Sequence, residues 1–184
     1  MIRSRLVTVG YMLFILFQLG SDRYALPARE VVEVLPLVSV KVLPGAPAGV
    51  AGLMNYRGAP VPVIDLTTLA FGRPAACRVS TRLLIVRYPH PRGGERLLGI
   101  VAERATETIT KDPSEFQPTG VATHITRYLG PVAHDPRGLI QRVDVHALLA
   151  DELRTALFPD HANNAVSSPV DAYREEKHLL RTSS

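Results

Sequence analysis

The sequence predicts a mainly β protein made of two small barrels of about five strands each, sharing a core and followed by a short C-terminal helix. Two observations carry this. Fifteen prolines and thirteen glycines cut the 184-residue chain into short apolar runs separated by turn chemistry, a profile of many strands rather than a few long helices. The chain also echoes itself. Residues 26–34 can be laid over 100–108 at an offset of 74, and residues 64–69 over 143–148 at an offset of 79, as expected for two related halves.

Taken in order, residues 12–20 read as a buried strand running into a turn at 20–23. Residues 24–27 are extended, 28–33 form one helical turn, and the Val- and Leu-rich stretch 34–43 is a strand ending at the turn 44–47. Residues 52–57 and 61–66 form a β-hairpin about Gly58-Ala59-Pro60, and Pro62 leaves the second strand with an unpaired edge. A helical turn at 67–71 is closed by Gly72-Arg73-Pro74. In the second half, strands at 80–88 and 96–101 flank a loop at 89–94, and a further hairpin joins 127–133 to 139–143 through the turn 135–138. Asp144 is placed to cap a helix over 145–157, with apolar residues at Val145, Leu148, Leu149 and Leu153 and a stop before Pro159. The divide between halves is expected near 73–80, and residues 161–184, polar and small, are expected to be a disordered tail.

Composition and motif content exclude several classes of function. The charge of +4 comes from 21 basic and 17 acidic side chains, and the densest basic stretch, 78–104, spreads six arginines against Glu95 and Glu103 along strand-like text. That is not the concentrated stripe of a nucleic-acid binder. Cys77 is the only cysteine, so no disulfide scaffold exists; beside Arg78 it reads as packing rather than as an activated thiol. The six histidines have no ligand-like spacing, and no phosphate-cradling loop or nucleophile motif is present. Asp65 and Asp144 stand at equivalent places after apolar strands, where capping explains them better than acid–base chemistry. No cofactor is expected.

The first 20 residues allow a second reading. Arg3 and Arg5 followed by the apolar run 6–17 resemble an export signal, which would make the protein an exported or membrane-tethered β-barrel binding module. The run is too short to span a bilayer, lacks a cleavage site, and reads better as the first strand, with residues 1–11 an extension and Met12 a candidate start.

Several strings resemble the CheW family of chemotaxis coupling proteins: Phe17-Gln18-Leu19-Gly20 with Tyr24-Ala25-Leu26, then Val31-Val32-Glu33-Val34, Gly52-Leu53-Met54-Asn55-Tyr56-Arg57-Gly58, Val61-Pro62-Val63-Ile64-Asp65-Leu66 and Leu98-Gly99-Ile100-Val101. The likeness runs in order from about residue 13 to about residue 153, within a CheW-like domain set at 12–160. It implies a cytoplasmic, non-enzymatic scaffold of two SH3-like five-stranded barrels. Its implied partners are the cytoplasmic tip of a methyl-accepting chemoreceptor and the regulatory domain of a CheA-type histidine kinase, with the membrane reached only through the receptor.

By the same resemblance, Arg57 falls at the arginine near the receptor and kinase contact region, and Val31 and Glu33 at positions implicated in partner binding. The Arg57 guanidinium suits a carboxylate either on a partner or on Glu33 within the fold. Gly58 shapes the hairpin turn, while Leu53 and Met54 offer apolar contact to a helical receptor tip or packing in the core. Leu35-Pro36-Leu37 is more apolar than the text of many chemotaxis couplers and resembles couplers of specialised systems, such as surface sensing.

Overall fold

Two apolar runs that lack polar alternation become the strands between which the molecule is organised. In the computed structural model, which describes residues 10–90, 93–119 and 127–159, these are β1 (Met12–Leu19) and β6 (Arg82–Pro89). The other strands are β2 (Asp22–Pro27), β3 (Val31–Pro36), β4 (Val50–Tyr56), β5 (Ala59–Asp65), β7 (Glu95–Lys111), β8 (Leu129–Asp135) and β9 (Gly138–Val143). Two short α-helices, α1 (Leu66–Phe71) and α2 (Asp151–Leu157), and 3-10 turns at Ala28–Glu30, Pro113–Glu115 and Val145–Ala147 complete the described elements.

β1 and β6 are buried on both faces, which is why their sequences do not alternate. Phe14 and Leu16 enter one barrel interior with Ala25, Phe116, Ala133 and Ile140. Leu83 and Ile85 enter the other with Met54, Val61, Val63, Leu97 and Val101. The intervening side chains, Phe17 and Leu19 from β1 and Leu84, Val86 and Tyr88 from β6, meet in a third cluster between the two sheets, joined there by Leu148, Leu149 and Leu153. The shared core is therefore real.

The internal echo is a structural repeat in which the halves exchange strands. β2 runs parallel to β9 with Ala25 opposite Arg142, and at the offsets of 74 and 79 the counterpart is β7 parallel to β5 with Gly99 opposite Val63. One sheet holds β1, β2, β8, β9 and the end of β7; the other holds β3, β4, β5, β6 and the start of β7. The stretch 73–80 thus separates the repeats along the chain without separating the sheets, because β3 and β5 pair with strands from the second half.

The same exchange corrects four local expectations. The helical turn at 28–33 shrinks to a 3-10 turn at Ala28–Glu30, since the β-branched Val31 and Val32 join β3 against β6. The strand expected over 34–43 ends at Pro36, beyond which the chain crosses the barrel mouth with a single backbone bridge, Lys41 to Leu53. The strand expected at 96–101 continues to Lys111 as β7. It changes sheets near Arg104, whose φ of 51 bends the backbone, and its second half faces solvent on one side. The helix expected over 145–157 is interrupted: Val145–Ala147 is a 3-10 turn, Ala150 is extended with ψ 156, and α2 starts at Asp151. The capping readings hold. Asp65 accepts from the Thr67, Thr68 and Ala75 amides and Asp144 from the His146 amide.

β1 is hydrogen-bonded to β2 on one side and β7 on the other, so residues 12–19 are part of the folded sheet. Residues 1–9 and the 161–184 tail lie outside the described residues. No helix among the described residues is long and apolar enough to cross a membrane.

Arg23 on β2 donates twice to Asp135 at the end of β8, both at 2.6 Å, and the two side chains are only 14% and 8% exposed. This forked bond holds the Asp135 carboxyl down at about 2. A carboxyl lowered in the folded state stabilises the fold above its unfolded value near 4 and loses that contribution as pH falls through 2. The loss should be about 2 kcal/mol across that window. Urea unfolding of Asp135→Asn should lack this acid step; a slope equal to the parent's between those pH values would remove the claim.

Candidate functional site

Of the residues picked from the sequence, Glu33, Arg57 and Gly58 lie together at one end of the barrel formed by β3–β7. β3 and β4 are the two outer strands of that sheet, and something must close the gap between them. Two devices do so. The backbone of Lys41 exchanges hydrogen bonds with Leu53 at 2.7 and 2.9 Å. At the strand ends, the Tyr56 hydroxyl donates to Glu33 Oε2 at 2.5 Å, and Arg57 donates to the same oxygen at 3.2 Å.

The β4–β5 turn explains why Arg57 projects there. Arg57 and Gly58 have φ of 51 and 85, the pair of left-handed residues that a tight two-residue hairpin turn requires. Asn55 Oδ1 locks the turn by accepting from the Gly58 amide at 2.8 Å. Gly58 meets the requirement without steric cost, whereas Arg57 adopts it against its Cβ. Its guanidinium lies over the Tyr56 ring at 5.3 Å and is 44% exposed, with Glu33 beside it at 35%. An ion pair this open contributes little to stability, so the same charges remain accessible to a binding partner.

The other predicted residues divide. Met54 is buried in the barrel interior and is packing. Leu53, next to it in sequence, is half-buried and outside that cluster. Val31 is half-buried against the shared core between the sheets. Beyond Glu33, the segment crossing from β3 to β4 exposes Val34, Val38 and Val42, the last at 70%. The exposed valines flanking Leu35-Pro36-Leu37 therefore extend an apolar surface from the charged cluster.

Sequence reasoning missed Tyr56. Its alternation with Met54 marks it as a core aromatic, which its ring is, and nothing in the text signals that its hydroxyl reaches a carboxylate on another strand. Tyr56→Phe should lower stability by about 1 kcal/mol through the lost bond to a charged acceptor. An unchanged denaturation midpoint would mean that water replaces the hydroxyl at no loss.

No group of three or more His, Cys, Asp or Glu side chains among the described residues is arranged to hold a metal. The site is a charged cluster with exposed apolar side chains beside it. Residues 13–153 match the family model of the CheW-like domain. The chain is 24% identical over 141 residues to the chemotaxis protein CheW of Klebsiella aerogenes, covering 76% of this chain and 82% of that protein. It is 26% identical over 150 residues to the chemotaxis protein CheW of Bacillus subtilis, covering 80% and 93%. Its fold is similar to the crystal structure of the scaffolding protein TtCheW from Thermoanaerobacter tengcongensis, with a TM-score of 0.68 at 24% identity over 81% of this chain and 94% of that one.

Proposed function

The chain belongs to the CheW family of non-enzymatic chemotaxis scaffolds, and on that premise we propose that it couples the cytoplasmic tip of a methyl-accepting chemoreceptor to the regulatory domain of a CheA-type histidine kinase. The observation that carries this reading is the Glu33–Tyr56–Arg57 cluster at the barrel mouth, with the exposed valines of the crossing segment beside it. Val31, Glu33, Leu53, Arg57 and Gly58 form the contact region, and Met54 supports it from within. An exposed forked cation next to apolar side chains suits a central contact in a protein interface, where arginine is favoured over lysine.

The adaptor acts in the cytoplasm, where both partners present the surfaces in question, and meets the membrane only through the receptor. It needs no chemistry of its own. By holding receptor and kinase together in a geometry that favours one kinase conformation, it makes the two equilibria interdependent. The repeat supports such a role, because two similar barrels offer two similar but unequal faces. Faces of that kind join head to tail and can close rings. The CheW-like domain at 12–160 carries the whole of this activity.

The test is capture of the tagged full-length chain from its own cells. Recovery of a chemoreceptor and a CheA-type kinase with the native protein, lost with Arg57→Glu, supports the assignment. Recovery of neither, with the protein found outside the cytoplasm, overturns it in favour of an exported module.

A further inference from the structure

A cavity of about 480 Å³ opens where β7 passes from one sheet to the other, well away in the fold from the β4–β5 turn. Its lining includes Arg23, Arg78, Arg104 and Arg137, with the hydroxyls of Ser80 and Thr106 beside them. Arg23 is matched by Asp135 and Arg137 by Glu107, each at 2.6 Å. Arg78 and Arg104 have no ion-pair partner among the described residues. Four guanidiniums less two carboxylates leave two positive charges facing one recess.

The repeat shows that this charge does not come with the fold. Glu107 is the counterpart of Glu33 at the offset of 74, and Arg137 sits on the hairpin turn that corresponds to the one carrying Arg57. Around that shared pair the halves diverge: Arg104 stands where the first half has Glu30, and Arg23 where the second half has Leu97. Arg104 also keeps a left-handed backbone, φ 51, at the bend of β7, where glycine would be free of strain. Residues held against their backbone preference gather at binding sites, where the surroundings impose them.

We propose that this cavity binds a small molecule carrying a phosphate monoester. A phosphomonoester dianion neutralises the two unmatched guanidiniums, its oxygens accept forked bonds from arginine, and Ser80 and Thr106 supply hydroxyl donors. The volume lies within the range of small-ligand sites and leaves room for an organic remainder beyond the phosphate. This site is separate from the partner surface at Arg57 and does not rest on the coupling function.

The test is calorimetric titration of the full-length chain with glycerol 3-phosphate, with glycerol and chloride of matched ionic strength as controls. Saturable binding should appear at millimolar concentration or below. It should weaken at least about tenfold in the Arg78→Ala, Arg104→Gly double variant and persist in Arg57→Gly. Circular dichroism would establish that the double variant folds, and the glycine at position 104 is compatible with the local backbone. No saturable binding, or equal binding by the double variant, overturns the proposal. So does a double variant that loses the kinase or receptor while glycerol 3-phosphate fails to bind the parent, which would make the cavity a protein contact.

Discussion

Replacing Gly52 with alanine should destabilise the protein by about 3–5 kcal/mol, among the largest effects available from a single methyl group. A Cβ at this position would lie 2.2 Å from the Lys41 carbonyl oxygen and 2.8 Å from its carbon, and φ at Gly52 is +146. The obstruction is backbone, so no rotamer change relieves it. The crossing segment must move away, and with it go the two Lys41–Leu53 hydrogen bonds that close the barrel between β3 and β4. Gly58 supplies the contrast. Its φ of 85 carries the left-handed penalty, but nothing lies within 4 Å of an added Cβ, so Gly58→Ala should cost only about 1 kcal/mol. Urea denaturation of the two variants checks the comparison, and a Gly52→Ala protein within 1 kcal/mol of the parent would show that the barrel mouth is not closed this way.

The second large effect is on coupling rather than folding. Arg57→Glu sets a new carboxylate beside Glu33 and reverses the charge offered to partners, which in a central contact weakens association by roughly 2–5 kcal/mol. The internal Arg57–Glu33 pair is too exposed to account for a loss of that size. Arg57→Gly separates the two roles further. It removes the guanidinium while relieving the left-handed strain at φ 51, so thermal stability should hold or rise by up to about 1 kcal/mol as coupling falls. If Glu33→Gln lowers coupling as much as Arg57→Gly does, and the double variant no further, the pair acts as a unit that shapes the surface. Additive losses would make Arg57 a direct contact.

How far the sequence disclosed this arrangement can be judged residue by residue. β1 and β6 were visible because a strand buried on both faces leaves an unbroken apolar run, and the β4–β5 hairpin because its sequence is distinctive, although the turn expected at 58–60 lies at Arg57-Gly58, since Ala59 and Pro60 already pair with Tyr56 and Asn55. Asp65 and Asp144 were legible as caps from position alone. The second half of β7 was not, since residues 103–108 face solvent on one side and carry no apolar rhythm. Nor was the exchange of strands: the two matched offsets reveal a repeat, but nothing in one sequence states that β3 pairs with β6 rather than within its own half. For the same reason Tyr56 and Glu33, 23 residues apart, could not be paired in advance. The cavity arginines are scattered from Arg23 to Arg137, and only the fold assembles them.

The most direct test of the central claim is receptor-controlled kinase activity, reconstituted from the purified chemoreceptor, the CheA-type kinase and this chain. Omitting the chain, or supplying Arg57→Glu, should leave the kinase at its basal rate and indifferent to receptor ligand, while the native chain confers stimulation that the ligand modulates. Receptor control that is equally strong with and without this chain would contradict the account.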